Sequence, residues 1–161
     1  MKIPTMLQVE DDENDRTLLK FAHERARVPI NIVAVEDGEE AISYLTGEGA
    51  FSDFVSCPPP ALVLLDLKMP LRDGFEVLEW IRKQERFREL PVIVMSSSGQ
   101  DCDRQHAFRS GATSYLVKPI LFESLVGMVR QIYSSWLAGG TATADSFCDD
   151  EMPNQHPLAC A

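Results

Sequence analysis

The stretch 62–70, LVLLDLKMP, places an acidic residue directly after four apolar ones and a proline four residues later. Four consecutive apolar residues favour a strand buried on both faces, which is typical of a parallel sheet. An ionised carboxylate is costly to bury without a partner, so Asp66 needs a cation or hydrogen-bond donors at the end of that strand. The segment therefore predicts a parallel sheet and a chemical site at Asp66.

Four more short runs favour strands, at 5–9, 30–35, 91–95 and 114–117. Segments with apolar residues at helical spacing lie between and after them, and the last two helices are predicted at about 101–110 and 122–136. The order is a strand followed by a helix, five times. Right-handed crossovers then predict a parallel five-stranded sheet with helices on both faces.

The length and composition suit one compact domain. The chain has 161 residues, of which 45% are hydrophobic, and that is enough for one core but leaves little room for a second. The segment after residue 137 has four acids, no Lys or Arg and many small residues. We therefore predict a domain at 1–137 and an acidic, disordered tail at 138–161.

The charge and hydropathy exclude several classes of function. The formal charge is −10, which repels nucleic acid, and no run of about 18 apolar residues could span a membrane. The segment 82–88 is locally basic but carries acids as well, and we interpret it as a solvated helix end. The start of the chain is too acidic for a signal peptide, and the four cysteines show no CxxC pairing, which predicts a cytoplasmic protein with reduced thiols.

Polar side chains collect where the predicted strands end. The first strand is followed by Glu10 and Asp11, the third by Asp66, the fourth by Ser96 and the fifth by Lys118. In an open doubly wound sheet the carboxyl ends of the strands form the edge where ligands bind. The sequence therefore predicts that three acids, a hydroxyl and an amine meet there.

These residue types fit phosphoryl transfer. Glu10, Asp11 and Asp66 offer only oxygen ligands, which favour Mg²⁺ or Mn²⁺ over zinc. Lys118 and Ser96 can neutralise and hydrogen-bond phosphoryl oxygens. Asp66 is the predicted nucleophile, because a carboxylate that attacks phosphorus forms an acyl phosphate.

Four motifs in this order resemble a known family, the receiver domains of two-component response regulators. The motifs are VEDDE at 9–13, LLDLKMPLRDG at 64–74, PVIVMSSS at 91–98 and GATSYLVKP at 111–119. The resemblance implies a flavodoxin-like (βα)₅ doubly wound α/β fold with strand order 2-1-3-4-5. It also implies that the protein catalyses only its own phosphorylation and dephosphorylation on Asp66.

The resemblance assigns further roles. It implies that the backbone carbonyl of Lys68 completes the metal shell of Glu10, Asp11 and Asp66, and that Ser96 and Tyr115 are the switch residues. It also implies a cis peptide bond between Lys118 and Pro119, since proline tolerates that isomer.

The implied phosphoryl donor is a sensor histidine kinase or a phosphotransfer protein. The insert TGEGAFSDFVSCPPP at 46–60 resembles the one in stand-alone regulators that partner bacterial phytochromes, so a phytochrome kinase is one candidate. Arg16 and the exposed face of the first helix are predicted to contact the kinase. The output is predicted to be a partner protein or a homodimer formed by the fourth helix, fifth strand and fifth helix.

Three other interpretations stay open at this point. A small-molecule phosphatase or phosphotransferase that uses an aspartyl phosphate resembles this fold, but such enzymes place a second acid where this chain has Lys68. A flavin- or nucleotide-binding domain would need a glycine-rich turn after the first strand, where EDDEND stands. A receiver that acts only as a docking module is the third, although every chemical position is filled here.

Overall fold

The computed structural model describes residues 2–139 and contains one parallel five-stranded sheet. The strands are β1 Thr5–Val9, β2 Asn31–Val35, β3 Leu62–Leu65, β4 Val92–Ser96 and β5 Ser114–Val117. The helices are α1 Glu13–Ala26, α2 Gly38–Thr46, α3 Gly74–Lys83, α4 Asp101–Arg109 and α5 Phe122–Ile132. The strand order is β2-β1-β3-β4-β5, which confirms the predicted fold class.

Alternating side chains of the strands feed two separate cores. On β1, Met6 packs with the buried residues of α1 and α5, whereas Leu7 and Val9 pack on the opposite side against α2 and α3. β3 divides in the same way, so all four of its residues are buried. Helices on both faces therefore explain why LVLL is continuously apolar.

The chain that follows α5 differs from the prediction. The sequence predicts one helix over 122–136, but the α-helix ends at Ile132 and Tyr133–Leu137 form a π-helical turn. The predicted tail at 138–161 lies outside the described residues, apart from 138 and 139. Within residues 2–139, no helix is both long enough and apolar enough to cross a membrane.

Arg82 is a structural residue rather than part of a solvated helix end. Its guanidinium donates hydrogen bonds to the carbonyl oxygens of Phe87 at 3.1 Å, Leu90 at 2.9 Å and Gly111 at 2.8 Å. Gly111 has a φ of 106°, and a Cβ there would lie 2.6 Å from Cγ of Arg82. The end of α3 is thus tied to the turn between α4 and β5.

The start of α4 has no comparable fastening. Its first turn follows Gln100, whose side chain makes no capping hydrogen bond. Ser98 lies two residues earlier, and its Oγ accepts a hydrogen bond from the Gln100 amide at 3.3 Å. By contrast, Asp12 caps α1, and Asp73 caps α3 in a reciprocal capping box with Glu76.

Candidate functional site at the carboxyl edge of the sheet

Strand register brings the predicted acids side by side. Val9 of β1 pairs with Leu65 of β3, so Glu10 and Asp66 leave adjacent strands at the same level. On the other side, the backbone amide of Lys118 donates to the carbonyl oxygen of Ser96 at 2.8 Å. The four residues therefore lie along one edge of the sheet.

Asp66 is 7% exposed and accepts two hydrogen bonds. Its Oδ1 accepts from the backbone amide of Lys68 at 3.2 Å, and its Oδ2 accepts from Nζ of Lys118 at 3.0 Å. These donors answer the question raised by a carboxylate after four apolar residues, because both of its oxygens have a partner.

Gly74 lets α3 approach the backbone of Asp66. Its amide donates to the carbonyl oxygen of Leu67 at 3.0 Å. A Cβ at this position would overlap the carbonyl oxygen of Asp66 and would lie 2.7 Å from Cα of Leu67. Only glycine fits here without a shift of the backbone that carries the acceptor.

Lys118 is the centre of the site. Its Nζ lies 2.6 Å from Oε2 of Glu10, 2.7 Å from Oδ2 of Asp15 and 3.0 Å from Oδ2 of Asp66. Burial of the ammonium would lower its pKa, but the hydrogen bonds to Asp15 and Glu10 and the charge of Asp66 raise the pKa of Lys118 above its ordinary value. One cation thus serves three carboxylates, and the group stays protonated.

Glu10 is the most buried acid of the site, at 1% exposure. Burial raises its pKa from 4.5 to about 7, and the charge of Asp66 acts in the same direction, against the opposing effect of Lys118. Lys118 offsets this rise only in part, because its charge is divided among three carboxylates. Oε1 of Glu10 accepts a hydrogen bond from the Asp12 amide at 3.1 Å.

The raised pKa of Glu10 predicts a pH effect on stability. Between about pH 4.5 and pH 7, Glu10 keeps a proton in the folded chain that it releases in the unfolded chain. Proton binding at Glu10 therefore stabilises the fold fully below the pKa of the unfolded chain, and this stabilisation is lost as the pH rises through 7. In metal-free buffer with EDTA, we expect the free energy of unfolding to fall more steeply with pH in the wild type than in Glu10→Gln. The difference in slope should reach up to about 1 kcal/mol per pH unit.

Urea denaturation at several pH values measures this slope. Glu13→Gln is the matched control, since Glu13 is exposed in the first turn of α1. That variant should keep the wild-type slope. Equal slopes for the wild type and Glu10→Gln would contradict the raised pKa.

The donor set fits a hard divalent cation. One carboxylate oxygen from each of Glu10, Asp11 and Asp66 lies within 4.8 Å of the others. Such oxygen-only sets, open on one side, suit Mg²⁺ or Mn²⁺. Asp11 is exposed and Asp66 is buried, so the cluster spans the mouth of the site.

Arg16 holds the backbone of the acidic segment that contains Glu10 and Asp11. Its Nη1 donates to the carbonyl oxygens of Glu10 and Asp11, both at 2.8 Å, and its Nη2 pairs with Glu36 at 3.2 Å. The Arg16 side chain is 17% exposed. These hydrogen bonds hold the guanidinium within the chain, and the kinase contact expected of Arg16 stays a prediction.

The two predicted switch residues are linked through Ser98. Ser96 is fully buried, and its Oγ accepts a hydrogen bond from the Ser98 amide at 3.2 Å. Tyr115 is buried too, and its hydroxyl donates to the carbonyl oxygen of Ser98 at 2.7 Å. The guanidinium of Arg104 lies 5.4 Å from the centre of the Tyr115 ring.

The peptide bond between Lys118 and Pro119 is trans, because the described residues contain no cis peptide bond. The cis bond implied by the family resemblance is therefore wrong here. The trans isomer is the intrinsically favoured one even before proline, although the free-energy difference there is small.

Sequence reasoning missed Asp15. An acid in the first turn of a helix is ordinarily explained by the helix dipole, so Asp15 did not stand out. The available signal was its place in the first turn of α1, which starts only three residues after Glu10 and lies beside the same edge of the sheet.

A family model for the response regulator receiver domain matches residues 6–130. The chain belongs to the response regulator receiver family. The match covers the sheet except for Thr5, and most of α5. The protein is therefore a two-component signalling protein rather than a flavin- or nucleotide-binding domain.

One curated relative is the probable methanogenesis regulatory protein FilR2 of Methanothrix harundinacea. It is 38% identical over 133 residues, which cover 82% of this chain and 83% of FilR2. The relative also falls in the size range of this chain, so the similarity extends over most of both proteins.

Solved structures of phytochrome-associated regulators are similar as well. The red-light regulator RPA3017 of R. palustris has a TM-score of 0.81 and 34% identity, and the phosphorylated cyanobacterial phytochrome regulator RcpA has 0.78 and 33%. Each alignment covers 87% of this chain and 98% of the other. The Mn²⁺-bound form of Rcp1 from Synechocystis has a TM-score of 0.74 and 29% identity, over 87% of this chain and 99% of that one. This receiver therefore resembles the phytochrome-associated type.

Proposed function

We propose that Asp66 accepts a phosphoryl group from a phosphohistidine of a sensor histidine kinase or a phosphotransfer protein. The observation that carries this proposal is the position of Asp66, with one oxygen held by the Lys68 amide and the other by Lys118. Two donors from different segments fix the orientation of this carboxylate at the edge of the sheet, as a positioned nucleophile requires.

The residues of the site divide the work. Asp66 forms the new bond to phosphorus as the bond from phosphorus to the histidine nitrogen breaks. The Lys118 ammonium stabilises a phosphoryl oxygen, and the Ser96 hydroxyl can donate to another when it leaves the Ser98 amide. A Mg²⁺ or Mn²⁺ ion, held by Glu10, Asp11, Asp66 and the Lys68 carbonyl, would supply charge neutralisation for the transferred group.

The switch that we propose runs through the Ser98 turn. If the Ser96 hydroxyl turns to the phosphoryl group, the Ser98 amide loses its acceptor, and the turn at 96–98 must adjust. The Ser98 carbonyl holds Tyr115, so the adjustment reaches β5 directly. Tyr115 is buried and its hydroxyl is bonded to this turn, so an adjustment of the turn would shift its ring.

Similarity to phytochrome-associated regulators makes a bacterial phytochrome one candidate kinase. Histidine kinases present their phosphohistidine in the cytoplasm, which is where we expect this chain to act. Nucleic acid is a poor direct partner for a chain with a net charge of −10.

Phosphorylation in vitro tests the proposal. The protein would be incubated with Mg²⁺ and acetyl phosphate, and intact-mass and peptide analysis would locate the product. We expect one acid-stable, base-labile phosphate on the peptide that contains Asp66. If no phosphate is incorporated from acetyl phosphate or from a phosphorylated kinase, the proposal is wrong.

We also expect phosphorylation to promote a homodimer through α4, β5 and α5. This face exposes several large apolar side chains: Phe108, Val117, Ile120, Leu121 and Phe122. Their burial between two copies would favour association. In size-exclusion chromatography, the phosphorylated protein should elute earlier than the untreated one, and Asp66→Asn treated in the same way should not shift. An unchanged elution volume would remove the dimer from the proposal but not the phosphorylation.

A further inference from the structure

Lys118 uses all of its donors on carboxylates. An ammonium has three N–H groups, and Nζ of Lys118 lies within 3.0 Å of one oxygen from each of three acids, Glu10, Asp15 and Asp66. Its side chain is 18% exposed, so the ammonium is mostly shielded from water. The lysine is therefore held at a fixed place between α1 and the edge of the sheet.

Two of these three acids also belong to the predicted cation site. Glu10 and Asp66 are partners of Lys118 and also members of the oxygen cluster that fits a divalent cation. A cation in that cluster would meet an ammonium that already occupies one oxygen of each acid. Like charges repel strongly in a partly buried site, so the ammonium and the metal compete.

Asp15 is the partner of Lys118 that stands outside the oxygen cluster. Its carboxylate belongs to the first turn of α1, and its backbone amide is held at 3.2 Å by the capping oxygen of Asp12. When Glu10 and Asp66 turn toward a metal ion, the contact between Asp15 and Lys118 can persist unchanged. That contact keeps the ammonium paired at the site and limits its hold on the metal ligands.

We infer that Asp15 is a positioning residue that retains the Lys118 ammonium while Glu10 and Asp66 bind a divalent cation, and so strengthens cation binding. This inference rests on the proposed metal site. It assigns to Asp15 a role beyond helix capping and the helix dipole, which any acid in the same turn could fill.

Mn²⁺ affinity measures this role directly, without any phosphorylation assay. Titration of the full chain with Mn²⁺, followed by electron paramagnetic resonance of the free ion, would give a dissociation constant for each variant. Asp15→Asn should weaken Mn²⁺ binding about fivefold, as expected for the loss of a partly exposed ion pair. Glu13→Gln removes the same charge from the same turn without touching Lys118, and should change the affinity by less than about twofold.

The Lys118→Met variant distinguishes the effect of the Asp15–Lys118 ion pair from a general effect of removing a negative charge. Lys118→Met removes the competing ammonium, and the Asp15→Asn effect should fall below about twofold when both changes are combined. Circular dichroism and urea denaturation verify that each variant is folded. An Asp15→Asn variant that binds Mn²⁺ like the wild type would overturn the inference, and so would a fivefold loss that persists in the Lys118→Met background. A wild-type chain that binds no Mn²⁺ would overturn the metal site itself, and the inference with it.

Discussion

Asp66→Asn is expected to incorporate less than about one hundredth of the phosphate taken up by the wild type, because an amide is not a competent nucleophile toward phosphorus. Asparagine matches the shape of the acid, and its oxygen can still accept from the Lys68 amide. The change also removes one negative charge from a cluster that shares a single ammonium, so we expect the fold to be retained. Phosphate incorporation from acetyl phosphate, measured on intact protein by mass, gives the result.

The control for this experiment is Asp101→Asn. Asp101 is exposed in the first turn of α4, away from the cluster of carboxylates around Lys118. It should take up phosphate at the wild-type rate. Base-labile phosphate at the wild-type level in Asp66→Asn would mean that another group is the acceptor.

Gly74→Ala is expected to destabilise the fold by about 1–3 kcal/mol, the range of a forced overlap in a packed interior. The new Cβ would overlap the Asp66 carbonyl oxygen and crowd Cα of Leu67, and both neighbours are backbone, which cannot rotate away. Gly74 is not among the glycines with a positive φ, so the cost comes from overlap alone. The variant should also phosphorylate slowly, because α3 can relieve the overlap only by displacing the acceptor.

Gly127→Ala provides the comparison for this change. Gly127 is exposed within α5, and a Cβ there would meet nothing within 4 Å. The same substitution should therefore raise stability by about 0.5–1 kcal/mol, since alanine favours a helix interior. Urea denaturation of both variants measures the two changes. Equal stabilities for Gly74→Ala and the wild type would mean that α3 does not rest on the Asp66 backbone.

The fold could be predicted from sequence because its signals are local. The unbroken LVLL run, the alternation of strands with amphipathic segments and the polar residues at strand ends depend only on neighbours in the chain. The convergence of Glu10, Asp66 and Lys118 followed from the rule that parallel strands place their carboxyl ends together. The structure brings these three together within hydrogen-bonding distance.

The missed features depend on contacts between residues far apart in the chain. Asp15 meets Lys118 across 103 positions, and Arg82 reaches Gly111 across 29. Nothing in the sequence near either residue states which turn of a helix faces which loop. The hydrogen bond of the Tyr115 hydroxyl is similar, because its acceptor is the carbonyl oxygen of Ser98, 17 residues away. The periodicity of the sequence does not predict contacts between side chains and partners in another helix, strand or loop.

The unequal fastening of α4 determines where this helix can respond. Its carboxyl-terminal end leads to Gly111, whose carbonyl oxygen accepts a hydrogen bond from Arg82. Arg82 also donates to the carbonyl oxygen of Leu90, in the segment that leads into β4. The other end of α4 begins at an uncapped Gln100, a few residues after the turn that contains Ser96. The helix is thus anchored at its carboxyl-terminal end and not at the end nearer Ser96. A small adjustment of the turn at 96–98 would therefore displace the first turn of α4 more than its last turn.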